Sequence, residues 1–216
     1  ETGELQGALS IGASTGPGAH LVPLLLCEFQ REHPALRVSL SISDTYAVIE
    51  DVAKRELELG VVGALRRHRS LEFTPIALDE IVLAVPPGHR FADQAVTLDA
   101  LREEPHIVMQ EGAGVRQVIE DELRRAGLRL QAELDPKLEL GLQESVKSAV
   151  AAGYGIAFIS RTAIDGELAA GQLASARVEG FDPRRQIYLV RARGRAATRA
   201  VEAFLEFARG RLSAQA

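Results

Sequence analysis

The sequence predicts an α/β fold built from two consecutive units. Three observations predict it: the order β-α-β-α-β from Gly7 to Gly63, a second strand–glycine turn–helix passage around Gly112, and one late strand plus helix that can carry the chain back to the first unit. Leu9 and Ile11 alternate with small residues as in a short strand, and Leu21, Leu24, Leu25 and Phe29 fall at helical spacing after Ser14-Thr15-Gly16-Pro17-Gly18. Ser or Thr before a helix caps free backbone N–H groups, and Pro suits its first turn. The same strand–turn–helix aims N–H groups and the positive end of the helix dipole at one point, where an anion can sit. A capped helix without a ligand is the alternative at this stage.

Pro34 ends the first helix. Leu36 to Ser43 then alternates Val38, Leu40 and Ile42 with polar residues as a half-buried strand, and Asp44-Thr45 opens a second helix carrying Val48, Ile49, Val52 and Leu57. Leu59-Gly60-Val61-Val62-Gly63 reads as a strand buried on both faces. This order predicts a parallel sheet, and ligands on such sheets sit at the carboxyl ends of the strands, where both Ser14-Thr15 and Asp44-Thr45 fall. Arg66-Arg67-His68-Arg69 is a basic cluster, read as a solvated loop rather than a nucleic-acid contact.

Phe73–Leu78 and Glu80–Val85 read as two strands, and Pro86-Pro87-Gly88-His89 marks a crossover between units. Beyond it, 98–103 reads as a small helix, 106–109 as a strand, and Gln110-Glu111-Gly112-Ala113-Gly114-Val115-Arg116 as the turn into a helix with Val118, Ile119 and Leu123 on its apolar face. Gly127 caps that helix. A strand within 134–140, a helix over 143–152, a strand over 156–160, a strand over 186–191 and an amphipathic helix over 198–212 complete the chain. The expected division is residues 1–85 plus 185–216 as lobe I and 86–184 as lobe II. Two lobes joined by two crossovers form a hinged cleft, each offering a helix N-terminus to it.

Composition narrows the function. The 216 residues are 46% hydrophobic and 25% charged, as in an ordinary globular protein, and a net charge of −5 suits neither a DNA backbone nor an anionic membrane. No apolar run approaches a bilayer span. Glu1-Thr2-Gly3-Glu4 has neither the basic start nor the apolar core of a signal peptide, which sets a cytoplasmic expectation, although a mature secreted chain would look the same. The single cysteine, Cys27, excludes an internal disulfide and a multi-cysteine metal site; its apolar neighbours predict a buried packing role. The five histidines lack metal-ligand spacing, the Gly112 turn lacks the Gly-Lys-Ser/Thr of a P-loop, and no nucleophile or acid–base motif is present. The expectation is a binding domain, not an enzyme, with no metal and no cofactor.

Taken together in order and spacing, these stretches resemble the effector-binding domain of LysR-type transcriptional regulators. The resemblance rests on Leu9–Thr15 with Leu21-Val22-Pro23, on Phe29 and Pro34, and on Glu56-Leu57-Glu58-Leu59-Gly60-Val61-Val62, where family members usually begin with Gly. It continues through Pro87-Gly88-His89 with Phe91-Ala92, Glu111–Arg116, Ser145–Val150, Ala152–Ile156 and Phe204–Phe207. The flavour is similar to members that govern carbon fixation or sulfur assimilation. The resemblance implies two periplasmic-binding-protein-like (type II) lobes that bind a small, often anionic effector in the interlobe cleft. It further implies an N-terminal winged helix-turn-helix that this sequence does not contain, so that DNA is met only through that missing part. Homodimers or tetramers would form by packing the helix near 20–31 against the helix near 116–126 of a partner. The effector positions it implies are Ser14, Thr15, Thr45 and the turn Gly112, Ala113, Gly114 and Val115, with Ser145, Lys147 and Ser160 near the cleft. Ala113 and Val115 replace hydroxyl residues common in relatives, leaving backbone N–H groups there, with Arg116 as a charge. The rival readings are a periplasmic solute-binding protein and a small transferase or dehydratase on a related scaffold.

Overall fold

The computed structural model describes residues 5–66, 68–194 and 196–213, the last without its side chain. In chain order it contains β1 (Gly7–Ser14), α1 (Thr15–His20), α2 (Val22–Glu32), β2 (Leu36–Ser43), α3 (Thr45–Ala53), β3 (Leu59–Val62) and β4 (Leu71–Val85). There follow β5 (Ala95–Val96), α4 (Leu98–Leu101), β6 (Ile107–Met109), α5 (Gly114–Arg125), α6 (Leu130–Leu134), β7 (Leu138–Leu140), α7 (Gln143–Ala151), β8 (Ala157–Ser160), α8 (Asp165–Ala169) and β9 (Ala174–Val178). β10 (Arg184–Ala192) and α9 (Arg199–Ser213) close the chain. It divides into two compact units, Glu1–Leu78 with Gln186–Ala216, and Asp79–Arg185. Where the sequence placed the crossover at Pro86–His89, the units divide inside β4. The strands expected at 73–78 and 80–85 are one continuous strand, so no turn marks the division.

In the first unit the strand order is β2-β1-β3-β10-β4. β1 runs parallel to β2 and β3, as the β-α-β-α-β order requires, and β10 enters antiparallel to β3. Side chains alternate across the sheet. Leu9, Ile11 and Ala13 join Leu25, Leu26, Phe29 and Phe204 in a core under α2 and α9, and Val48, Ile49 and Val52 of α3 cover the other face with Val62 and Val190. Gly60 permits that second layer: a Cβ there would lie 2.9 Å from Val48 Cγ1.

Two helical expectations are corrected here. The helix expected from residue 17 is two, because the chain breaks at Leu21 and restarts with Pro23 in the first turn, where its missing N–H is harmless. In α2 the buried stripe is Val22, Leu25, Leu26 and Phe29, so Leu24 is 67% exposed and Cys27 is exposed rather than buried. Their face points away from the stripe.

In the second unit β4 pairs antiparallel with β8 on one side and β9 on the other, β9 pairs with β5, and β6 runs parallel to β7. A bridge between His106 and Ile156 links β6 to the start of β8. The passage expected to hold a strand over 134–140 contains α6 as well, with Asp135 in the left-handed region (φ 37°) separating it from β7. Gly155 is required where it stands, since a Cβ would approach Pro105 O to 2.5 Å, and Ile156 N–H donates to that same carbonyl.

His106 is buried, and its Nε2–H donates to Leu101 O at 2.8 Å. Burial pushes its pKa below the ordinary histidine value, against the smaller opposite pull of that carbonyl and Glu104. The neutral ring thus stabilises the fold fully above the unfolded value of about 6.5, and this contribution is lost as the pH falls from there through the depressed folded value. His106→Gln is expected to flatten the fall in urea midpoint between pH 7.5 and 5. An unchanged slope would assign the acid sensitivity to other groups.

Candidate functional site

The register of the first unit sets Ser14 level with Ser43, so the turns into α1 and α3 leave the parallel strands side by side. The Ser14 hydroxyl does not cap α1; buried, it accepts from Gly63 N–H at 3.3 Å and ties β1 to the exit of β3. With no side-chain cap, the first N–H groups of α1 keep their hydrogen-bonding capacity. Asp44 caps α3 by accepting from Ala47 N–H at 2.9 Å. Thr15 is exposed and Thr45 half-buried, and neither hydroxyl has a hydrogen-bond partner among the described residues. The Arg66 guanidinium lies over the Tyr46 ring, 5.7 Å from its centroid, beside the first turn of α3. It makes no ion pair among the described residues. Sequence reasoning left Arg66 in a solvated cluster, because its link to Tyr46 is non-local. Arg67 lies outside the described residues, and His68 engages Ser70 instead.

In the second unit the turn from β6 into α5 holds Gly112 in the left-handed region (φ 82°), and Ala113 N–H donates to Gln110 O. Ala113 is the N-cap residue and supplies no side-chain cap. Val115 is buried in the core, so of the turn only the backbone N–H groups of Gly112, Gly114 and Val115 remain for an outside partner, that of Ala113 being taken by Gln110 O. Arg116 is not a spare charge. Its guanidinium donates to Glu120, Glu139 and Met109 O at 2.7–3.1 Å, and the Glu120 hydrogen bond above all raises its pKa.

Ser145 lies exposed in the first turn of α7. Lys147, two residues on, pairs with Glu144 and Glu167 at 3.0 and 2.7 Å; burial lowers its pKa, but the two glutamates outweigh burial and leave it raised. Ser160 is only 2% exposed. It is bound into a network with Asp79, Gln143 and Thr162 that no local sequence signal indicates. Among the described residues no group of three or more His, Cys, Asp or Glu side chains could hold a metal ion. No described helix is long and apolar enough to cross a membrane.

Two α/β units, an inserted second unit, and helices that enter from the carboxyl ends of parallel strands define the class: a periplasmic-binding-protein-like ligand-binding fold. The chain belongs to the LysR substrate binding domain family, whose family model matches residues 2–213. It is 32% identical over 204 residues to a probable RuBisCO transcriptional regulator of Cyanophora paradoxa, covering 93% of this chain and 63% of that protein. Against the RuBisCO operon transcriptional regulator of Allochromatium vinosum it is 30% identical over 210 residues, covering 95% of this chain and 67% of the relative. A protein of Anaeromyxobacter dehalogenans named phosphonates import ATP-binding protein PhnC is 39% identical over 206 residues, 94% of this chain but 41% of that one. The chain thus spans roughly two fifths to two thirds of these relatives. Among solved structures, the Synechocystis PCC6803 CcmR regulatory domain in complex with 2-PG superposes with a TM-score of 0.83 at 24% identity, over 96% of this chain and 98% of that one. The effector binding domain of QuiR in complex with shikimate gives 0.80 at 21% identity, over 97% and 99%.

Proposed function

We propose that this chain is the effector-sensing domain of a LysR-type transcriptional regulator and that its effector is a small anionic metabolite. The observation that carries the anionic class is Arg66, set over the Tyr46 ring in the first turn of α3, where Thr45 stands, and without an ion pair among the described residues. Ser14 shapes that half-site from within by holding Gly63. Within the second unit, taken by itself, the candidate positions are the backbone N–H groups of Gly112, Gly114 and Val115 at the turn into α5, and Ser145 and Lys147 on α7, with Ser160 behind them. The 2-PG and shikimate bound by two structural neighbours support a small acidic ligand. The RuBisCO regulators among its relatives support a regulatory rather than a transport role. The ATP-binding activity in the name of the Anaeromyxobacter relative does not carry over, because this sequence has no P-loop.

In this reading the domain works without catalysis or cofactor, in the cytoplasm. Effector binding favours one arrangement by differential contacts, and the change passes to a DNA-binding part outside this chain. A homodimer or tetramer provides the route. Exposed Leu24 and Cys27 on α2 supply the face that a second copy's α5 would cover.

Calorimetric titration of the chain with shikimate and with 2-PG tests the proposal. Thr15→Ala and Thr45→Ala are each expected to weaken the bound acid by roughly tenfold, the scale of one hydrogen bond to a charged group. Without ligand, both should melt within about 1–2 °C of the parent, since neither hydroxyl is engaged in the fold. Equal affinities in parent and variants would overturn the assignment of these threonines.

A further inference from the structure

Buried in the second unit, Asp79 of β4, Ser160 of β8, Gln143 of α7 and Arg185 of β10 form one hydrogen-bonded network. Arg185 Nε donates to Asp79 Oδ2 at 2.7 Å, Ser160 Oγ donates to Asp79 Oδ1 at 2.6 Å, and Ser160 N–H donates to Gln143 Oε1 at 3.1 Å. An ionised carboxylate only accepts, so the one hydroxyl proton of Ser160 is committed to Asp79. The 2.8 Å contact between Ser160 and Thr162 then has Thr162 as its donor. The network therefore has a single direction, set by Asp79.

Gln143 is the first residue of α7, whose N-cap position, Leu142, supplies no side-chain cap. Its amide oxygen is held by Ser160 N–H, so the side chain that anchors the first turn of α7 takes its place from Ser160. A buried ion pair is a poor way to gain stability, since apolar residues of the same volume often do as well. An apolar pair, however, would leave Thr162 as the one remaining partner of the Ser160 hydroxyl among the described residues, free to donate or accept, so the direction of the network would be lost.

We propose that Asp79 is a positioning residue for ligand binding: acting through Ser160 and Gln143, it fixes the N-terminal half of α7, where Ser145 and Lys147 stand. The role in binding rests on the effector-sensing reading of that segment; the mechanical link does not. Arg185 holds the second carboxylate oxygen, so Asp79 cannot turn away from Ser160.

The test compares Asp79→Asn and Ser160→Ala with the parent chain by amide hydrogen exchange without ligand, and by titration with shikimate and 2-PG. Exchange at Val146, Lys147 and Ser160 is expected to rise at least tenfold in both variants, while Ile119 of α5 and Leu83 of β4 keep their protection. Affinity for whichever acid the parent binds should drop about tenfold. Unchanged exchange at α7, or a uniform rise that includes Ile119 and Leu83, would overturn the link. If Asp79→Asn does not fold, Ser160→Ala, which leaves the ion pair in place, decides the matter alone. Parent affinity lost in Thr15→Ala but kept in Asp79→Asn would sink the positioning role and leave the effector reading standing. A parent chain that binds neither acid would strike the effector class and not the link, which the exchange data decide.

Discussion

Arg185→Met is expected to destabilise the second unit by about 3–5 kcal/mol, because it strands the Asp79 carboxylate in the interior without a cation. Both side chains are largely buried, at 8% and 7% exposure, and among the described residues the carboxylate would retain only the Ser160 hydroxyl. For a chain of this size that corresponds to a melting transition lowered by roughly 10 °C. The paired replacement Asp79→Leu with Arg185→Met should recover most of the loss, since the charge and its partner leave together. Urea denaturation followed by far-ultraviolet circular dichroism measures both. A single variant as stable as the parent would show that water or a neighbouring group solvates Asp79.

Phe204→Ala is the corresponding lesion in the first unit, with an expected loss of about 3–5 kcal/mol from transfer and cavity terms. Phe204 is fully buried, and its ring meets Phe29 edge-on at 5.2 Å between centroids, with the Phe207 ring also 5.3 Å from Phe29. This aromatic trio seats α9 on α2. Hydrogen exchange separates the two lesions: Phe204→Ala should expose amides of β1 and α2 while Ile119 and Leu83 stay protected. A loss below about 1 kcal/mol would mean that the site collapses around the missing ring.

The elements most legible in the sequence are those whose cause is local. β1, β2 and α3 follow from apolar residues at periods of two and 3.6, β3 from a short run buried on both faces, and the turn at Gly112 from a glycine that the backbone needs. The carboxyl ends of the parallel strands pointed to Ser14, Thr15 and Thr45, with which the family resemblance agreed, and of these the serine turned out to be a structural tie. Less legible were features whose partners lie far along the chain. β4 reads as two strands because Asp79 interrupts an apolar run, and the charge that makes an aspartate tolerable there stands 106 residues further on. The family resemblance implied Ser160 as a position near the ligand; its acceptor, Asp79, is 81 residues earlier. Cys27 was misplaced by its apolar neighbours, since Leu24 shares its exposed face and Leu26, which had no part in the expected stripe, is buried. Arg116 looked free for a ligand although Glu120, one helical turn on, was a local signal; its second carboxylate partner, Glu139, belongs to β7.

The Asp79–Arg185 pair also joins the two residues at which the second unit begins and ends. A segment whose entry and exit points are fastened to each other can be lifted out of one gene and set into another with little disturbance to either junction. The second unit is therefore suited to behave as a cassette in evolution. A lineage could exchange residues 79–185 by recombination while the α2 and α9 core stays as it was.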